Sequence, residues 1–160
     1  MSPISRSTSP TPSVLVSVDV VVAAAGNGSQ DLDGSFYNSY MSRGDNGSII
    51  VGAGTKIGRD RVGFSTYGSR VDLCGIGDWS IYSTGYGGLY NGGPHATYTH
   101  NFSGTSSSTP IVASAVVAVQ SYAKNKLGIT LTPQEMRTLL IETGTPQGTG
   151  GHIGPLPNVK

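Results

Sequence analysis

Residues 103–120 read SGTSSSTPIVASAVVAVQ, a polar start of small residues followed by a run of valine and alanine. The valines recur at the spacing of one helix face, which predicts a helix from about residue 106 to 124. The alanines keep this helix thin, and a helix of this kind is buried on most sides. Pro110 is expected in its first turn, where the missing N–H costs nothing.

The polar start places Ser106 at the beginning of the predicted helix. Backbone N–H groups are free at that point and the helix dipole is positive there. Such an environment stabilises an alkoxide or an oxyanion, so Ser106 is a candidate nucleophile. On this segment alone the alternative is that its serines and threonines only cap the helix, which is a common role.

Three short apolar runs predict buried strands at Val14–Ala25, Ser48–Ala53 and Val71–Cys74. A second helix is predicted from the capping box that begins at Thr132, and Gly144 is expected to end it as a left-handed cap. Valine- and isoleucine-rich strands combined with helices indicate an α/β fold, with a mainly parallel sheet flanked by helices.

Two segments carry no such pattern. Residues 1–13 (MSPISRSTSPTPS) are rich in Ser, Thr and Pro, which predicts a disordered tail. Residues 83–104 hold many Gly, Tyr and Asn residues, so we expect them to form a long excursion over the surface.

Composition excludes several classes of function. The 160 residues suffice for one domain, and the net charge of +1 gives no electrostatic footprint for nucleic acid or an anionic membrane. The single cysteine, Cys74, excludes an internal disulfide framework. No apolar run reaches the roughly 20 residues that span a bilayer. Asp19 interrupts the first apolar run, which therefore predicts a strand rather than a signal peptide.

Asn27 lies in the turn AAAGNGS, directly after the first predicted strand. Ligands bind outside the carboxyl ends of strands in open α/β sheets, so the Asn27 amide is placed to donate a hydrogen bond into a crevice. Taken alone, the Asn-Gly pair also fits an ordinary turn.

Together these segments resemble the subtilase (peptidase S8) family of serine proteases over roughly residues 20–145. The similarity rests on four motifs in the family's order: AAAGNGS at 23–29, SIIVGAG at 48–54, FSTYGSRVDLCGIG at 64–77 and SGTSSSTPIVASAVVAVQ at 103–120. The resemblance implies a partial subtilisin-like three-layer fold whose N-terminal half is absent. Residues 14–146 would be the C-terminal half of the catalytic domain, and 147–160 a C-terminal extension.

The resemblance also implies roles for individual residues. Ser106 matches the catalytic nucleophile, and Asn27 matches the side-chain donor of the oxyanion hole. Ala24, Ala25 and Gly26 match one wall of the pocket for the substrate residue that precedes the scissile bond. The implied activity is endopeptidase cleavage of polypeptide substrates without a required cofactor, and the implied location is outside the cell.

The motifs that carry the Asp and the His of the family's catalytic triad do not occur in this sequence. A serine nucleophile needs a base and an orienting carboxylate. His95, His100 and His152 are interpreted as solvated loop histidines rather than as substitutes. Two interpretations follow: a half-enzyme that needs a complementing N-terminal half, or a catalytically inactive truncated fragment. A non-catalytic peptide-binding module is a third hypothesis, without positive support.

Asp72 matches a family position whose carboxylate often contributes to a calcium site. Carbonyl oxygens near Asn46 and Ser48 would be its co-ligands, since hard cations prefer oxygen. The sequence therefore leaves two expectations for Asp72: a structural calcium ion, or hydrogen bonds from nearby backbone amides.

Overall fold

The computed structural model describes residues 19–160, which form two three-stranded sheets and three α-helices. In chain order the helices are α1 (Asn38–Met41), α2 (Thr105–Tyr122) and α3 (Pro133–Thr143), and a π-helical turn at Ala123–Leu127 extends α2. The strands are β1 (Val22–Ala24), β2 (Ile49–Gly54), β3 (Leu73–Ile76), β4 (Ile81–Thr84), β5 (Tyr90–Asn91) and β6 (Thr97–Phe102).

The first sheet is parallel, as the apolar runs predict. Its strand order is β1-β2-β3. Val51 at its centre pairs with Ala24 on one side and with Leu73 on the other. The prediction for β2 is confirmed within one residue, and β3 lies two residues later than predicted. Within the described residues β1 is only three residues long, and the start of its predicted run lies outside them, as does the predicted tail at 1–13.

Helices α2 and α3 cover one face of the parallel sheet and form the main core with it. Seven buried side chains make up this core: Ile49, Val51, Leu73, Val112, Val116, Met136 and Leu140. The predicted capping box at the start of α3 is confirmed, because Thr132 and Glu135 exchange hydrogen bonds. The left-handed cap predicted at Gly144 is wrong, since its φ is −67°. A side chain at Gly144 would meet the Leu140 carbonyl and Pro155, both at 2.8 Å, so close approach explains this glycine.

The opposite face of the sheet packs against a second cluster formed by Leu32, Val71, Cys74 and Ile153. Ile153 comes from the predicted C-terminal extension and is fully buried. The Cys74 N–H donates to the Pro155 carbonyl (3.0 Å), so the C-terminal segment also pairs with the backbone of β3. Residues 147–156 are therefore integral to the three-layer arrangement.

The excursion predicted for residues 83–104 is a second sheet, antiparallel, with the order β4-β6-β5. Most of its side chains are exposed, as expected of a surface segment, although Thr99 is buried. The sequence predicted no strands in this segment. Its strands are mostly exposed and bury no apolar run, so the hydrophobic pattern gives no signal for them.

Helix α2 is less covered than its sequence predicts. Val112, Ala115 and Val116 are buried, but Val117 is 68% exposed and Tyr122 is 61% exposed. Pro110 lies inside the helix as its sixth residue rather than in the first turn, so the Ser106 carbonyl has no N–H donor one turn later. No helix within residues 19–160 is long and apolar enough to cross a bilayer.

Candidate active site

Ser106 is the second residue of α2 and its side chain is exposed. The N-cap residue is Gly104, so none of the serines and threonines that follow it occupies the N-cap position. The interpretation of Ser106 as a helix cap is therefore wrong. Its hydroxyl group stands at the positive end of the longest helix among the described residues, within reach of solvent.

The two serines that follow have structural partners. Ser107 and Ser108 are buried. Ser107 Oγ donates to the Gly104 carbonyl (2.8 Å), and Ser108 Oγ donates to the Gly75 carbonyl on β3 (3.1 Å). Of the three consecutive serines, two are thus bonded to backbone carbonyls and Ser106 is left accessible.

Asn27 follows β1 and is held in place by Thr105. The Thr105 backbone N–H and its hydroxyl group both donate to Asn27 Oδ1, at 2.9 and 3.0 Å. The Thr105 hydroxyl in turn accepts from the Gly26 N–H (3.2 Å). Because the amide oxygen is occupied, the Nδ2 group of Asn27 is the part left to donate to another molecule. Thr105 is nearly fully buried, so its own position is fixed and it orients the Asn27 side chain.

Gly104 separates the two candidate groups. A Cβ atom added at this position would lie 3.1 Å from Ser106 Oγ and 3.2 Å from Asn27 Nδ2. The hydroxyl and the amide donor therefore face a common space that only glycine leaves open. The φ of Gly104 is +105°, which also favours glycine. The role of Gly104 in leaving this space open was not predicted. The glycine before Thr105 and Ser106 was the signal in the sequence that could have indicated it.

Ala24, at the end of β1, and then Ala25 and Gly26 directly precede Asn27. Gly26 has a φ of +101°, so the chain changes direction there. Ala24 and Ala25 line a cleft of about 320 Å³ together with Leu32, Tyr37, Tyr40 and Ile50. The lining is mainly apolar and aromatic, and no charged side chain contributes to it.

The three histidines of the chain lie at its surface. His95, His100 and His152 are all exposed, as expected, and the His100 ring packs against Tyr82 with ring centroids 6.4 Å apart. Within residues 19–160 there is no group of three or more His, Cys, Asp and Glu residues that could hold a metal ion.

Asp72 is engaged by protein groups. Its Oδ2 atom accepts from the Ile50 N–H (2.7 Å) and from Arg70 Nη1 (2.6 Å), and Arg137 Nε lies 3.9 Å from Oδ1. The backbone hydrogen bond is the second of the two expectations for this residue. Two guanidinium groups, those of Arg70 and Arg137, therefore lie beside this carboxylate.

Arg137 contacts both Asp72 and the loop before β2. Its guanidinium forms a two-pronged ion pair with Asp45, with one of the two contacts at 2.8 Å. Hydrogen bonds from Arg137 hold the pKa of the Asp45 carboxyl well below its usual range, and the Gly47 N–H adds to the effect. Asp45 belongs to the Arg-Gly-Asp sequence of this loop, and here the carboxylate serves the fold.

Cys74 carries a free and buried thiol. Burial raises its pKa to about 11, so it is a thiol rather than a thiolate at neutral pH. It packs as a small apolar side chain in the second cluster.

An exposed serine at a helix start, facing an anchored amide donor, defines a site of the kind that performs acyl transfer. Residues 13–154 match the subtilase family, Peptidase S8. The chain is 38% identical over 124 residues to the extracellular basic protease of Dichelobacter nodosus and 36% identical over 126 residues to thermitase of Thermoactinomyces vulgaris. It covers 19% and 39% of their respective lengths.

Solved structures agree on the fold. A cold-adapted subtilisin-like serine proteinase matches with a TM-score of 0.56 and 28% identity over 83% of this chain and 42% of its own. A lanthipeptide protease matches with a TM-score of 0.63 over 85% of this chain and 47% of its own, and its 18% identity supports the fold alone. The chain belongs to the subtilase family of serine proteases and carries part of the subtilisin-like fold.

Proposed function

We propose that this chain supplies the nucleophile half of a serine endopeptidase. Ser106 Oγ attacks the carbonyl carbon of a peptide bond, and the carbonyl oxygen becomes an oxyanion. Asn27 Nδ2 and the Ser106 backbone N–H donate to that oxyanion. A base takes the proton of the Ser106 hydroxyl during the attack. The oxyanion then collapses, the C–N bond breaks, and the amine leaves with that proton. Water hydrolyses the acyl-enzyme and restores the hydroxyl group of Ser106. The observation that carries the proposal is the common space of Ser106 Oγ and Asn27 Nδ2 in front of Gly104.

Electrostatics supports the oxyanion assignment. Negative charge develops on the carbonyl oxygen during acyl transfer, and donors fixed in advance stabilise it without reorganisation. Subtilisin, a member of the same family, is the well-known enzyme in which an asparagine side chain is such a donor. Thr105 holds Asn27 Oδ1 by two hydrogen bonds, which fixes the direction of the amide before substrate arrives.

Polypeptides are the proposed substrates. The cleft at Ala24 and Ala25 would hold the side chain that precedes the scissile bond, and its apolar lining favours an uncharged side chain. Nucleophile, base and oxyanion donors are all protein groups in this chemistry, so the proposal requires no cofactor. The name of the Dichelobacter nodosus relative motivates the further proposal that the enzyme acts outside the cell.

The base and its carboxylate are proposed to come from an N-terminal half that packs beside β1. Among residues 19–160 that strand is at the edge of the parallel sheet, with β2 on one side only. Val21 beside it is 57% exposed, and Val117 of α2 is 68% exposed. A further strand and its helix would bury both side chains and cover the open edge. The alternative is a fragment that no second half completes.

The test compares serines within one segment. The native gene product is captured through a peptide from residues 103–120, its intact mass is measured, and its peptide hydrolysis is assayed. A mass well above that of the 160-residue chain shows an attached second half, and Ser106→Ala then reduces hydrolysis to background. Ser107→Ala, one residue away, is the matched control and retains the nucleophile.

Two outcomes contradict parts of the proposal. Hydrolysis that survives Ser106→Ala overturns the nucleophile assignment. The isolated 160-residue chain is expected to show no hydrolysis above buffer. Ser106-dependent turnover by that chain would overturn the need for a second half and would implicate His95 or His100 as the base.

A further inference from the structure

The chain contains three Asn-Gly pairs, at positions 27–28, 46–47 and 91–92. In such a pair the backbone nitrogen of the glycine is able to attack the side-chain amide carbon of the asparagine, because glycine has no β-carbon to hinder the approach. The same two residue types therefore provide the same intrinsic chemistry at three places. Differences in reactivity between these places come mainly from the folded structure around them.

Two of the three pairs are held by a hydrogen bond at the attacking nitrogen. The Gly47 N–H donates to Asp45 Oδ1 (2.8 Å), and Gly47 is buried. The Gly92 N–H donates to the Ala96 carbonyl (2.9 Å), and Asn91 before it lies in β5. Each N–H group has to break its bond before the nitrogen turns toward the preceding side chain, and this costs free energy. The fold therefore protects both pairs.

The pair at 27–28 is open at the same nitrogen. Within residues 19–160 no hydrogen bond engages the Gly28 N–H, and both Asn27 and Gly28 are exposed. The chain is anchored directly after the pair, where the Ser29 N–H donates to the Phe64 carbonyl (2.8 Å). The nitrogen of Gly28 therefore has no bond to break before it approaches the Asn27 side chain, and water reaches both residues.

The Asn27 side chain is oriented in a way that favours attack on its amide carbon. Thr105 donates two hydrogen bonds to Asn27 Oδ1, from its N–H (2.9 Å) and from its hydroxyl group (3.0 Å). Attack on Cγ places negative charge on this same oxygen, and donors that are already in place stabilise that charge. The leaving nitrogen, Nδ2, faces the open space in front of Gly104, so ammonia can escape to solvent.

We propose that Asn27 is a self-modification site that deamidates through a cyclic succinimide faster than the other two Asn-Gly pairs. The Gly28 nitrogen loses its proton to water and forms a bond to Asn27 Cγ. The Cγ–Nδ2 bond breaks, and Nδ2 takes up a proton and leaves as ammonia. Water then opens the ring at either of its two carbonyl carbons. The product is an aspartate or an isoaspartate at position 27, and the net reaction consumes one water and releases one ammonia.

This modification reverses the hydrogen-bonding role of the side chain. The Nδ2 group of Asn27 is a donor, whereas an ionised carboxylate only accepts hydrogen bonds. Its negative charge would stand beside the position that the proposed function gives to the oxyanion, and like charges repel. The loss of activity rests on the proposed function, but the deamidation itself does not. An enzyme built on this chain would therefore have an active lifetime limited by its own sequence.

Peptide mapping of the 160-residue chain separates the three pairs. Cleavage after Lys and Arg places them in three different peptides, 7–43, 44–56 and 71–124. The folded chain is incubated in mildly alkaline buffer and digested at mildly acidic pH, and mass spectrometry with fragmentation follows deamidation at each asparagine. Position 27 is expected to deamidate at least about tenfold faster than positions 46 and 91, the effect of about one hydrogen bond on a rate. In urea, all three positions should react at similar rates.

Gly28→Ala is the matched variant. The backbone at Gly28 does not require glycine, because its φ lies outside the left-handed range. The atoms nearest to an added Cβ belong to the exposed Gln30 side chain, at 3.3 Å, which is able to move away. The β-carbon hinders the attacking nitrogen, so deamidation at position 27 should slow by roughly tenfold. The rates at positions 46 and 91 should not change.

The native gene product tests the consequence for activity. Its peptide hydrolysis is expected to decline in step with deamidation at position 27, and to decline more slowly in Gly28→Ala. Asn27→Asp, which reproduces one of the two products, should lower hydrolysis from the start.

Two results would overturn the proposal: equal rates at the three positions in the folded chain, or a rate at position 27 that Gly28→Ala leaves unchanged. Failure of the proposed function is distinguishable from both. Hydrolysis that continues at its full rate after position 27 has deamidated would keep the modification site and remove Asn27 as the oxyanion donor.

Discussion

The two sheets of this chain differ in how much of their surface they bury, although each has three strands. The parallel sheet buries Val51 and Leu73 completely between its two covering layers. The antiparallel sheet leaves Tyr82 and Tyr90 more than half exposed. Both sheets lead to the same place, since β1 ends near Asn27 and β6 ends near Ser106. The comparison separates a framework that fixes the reacting groups from a surface that is available to a ligand.

The largest expected effect distinguishes the two sheets by stability. Leu73→Ala removes a fully buried side chain from the main core and is expected to lower the free energy of unfolding by about 3 kcal/mol. Tyr82→Ala removes a larger side chain from β4, but that ring is 72% exposed, so we expect a change within about 0.5 kcal/mol. Urea denaturation of the two variants measures both values.

Similar losses of unfolding free energy in Leu73→Ala and Tyr82→Ala would contradict the distinction between a buried and an exposed sheet. They would show that the antiparallel sheet is part of the same cooperative core. A small loss from Leu73→Ala alone would instead show that the core relaxes into the space left by the missing methyl groups.

The same contrast explains which parts of the fold are predictable from the sequence. Runs such as Ser48–Ala53 predict β2 because a strand buried on both faces is a continuous apolar segment. Residues 83–104 form strands that bury almost nothing, so their pattern predicted only a surface segment. The left-handed cap predicted at Gly144 was wrong, because the sequence does not distinguish a glycine required for close approach from one required for a left-handed turn.

The candidate site was predictable in its residue types but not in its contacts. The short motifs predict Ser106 because it begins a helix, and Asn27 because it directly follows a buried strand. The hydrogen bonds by which Thr105 fixes Asn27 join residues 78 positions apart and have no local signature. The contact of Asp72 with Arg137 was missed for the same reason, since Arg137 comes from α3.

A smaller effect separates neighbouring serines. Ser108→Ala leaves the Gly75 carbonyl without its buried donor and is expected to cost about 1 kcal/mol of unfolding free energy. Ser106→Ala removes an exposed hydroxyl group and should change stability by less than about 0.5 kcal/mol. Thermal unfolding of the two variants at one pH gives the comparison. Equal destabilisation by both would show that Ser106 is a structural serine like its neighbours.

The smallest expected effect concerns the ion pair that ties α3 to the loop before β2. The Asp45 pKa is lowered in the folded chain relative to about 3.9 when unfolded. The unfolded chain therefore binds a proton first as pH falls, and the contribution of the ion pair is present above about pH 4 and lost below it.

Asp45→Asn should consequently lower the melting temperature slightly at pH 7, and the difference should shrink steadily as the pH falls below about 4. The side chain of Asp45 is 48% exposed, so solvent screens the pair and its contribution stays below about 1 kcal/mol. Added salt should shrink the difference at pH 7, because exposed charges are screened within about 3 Å at 1 M ionic strength. A difference that stays constant from pH 7 down to pH 2 would show that Asp45 acts through its hydrogen bond from the Gly47 N–H rather than through its charge. That outcome would place the stabilisation in the loop itself, and the connection between α3 and the parallel sheet would then rest on Arg137 and the Ser48 carbonyl, 3.1 Å apart.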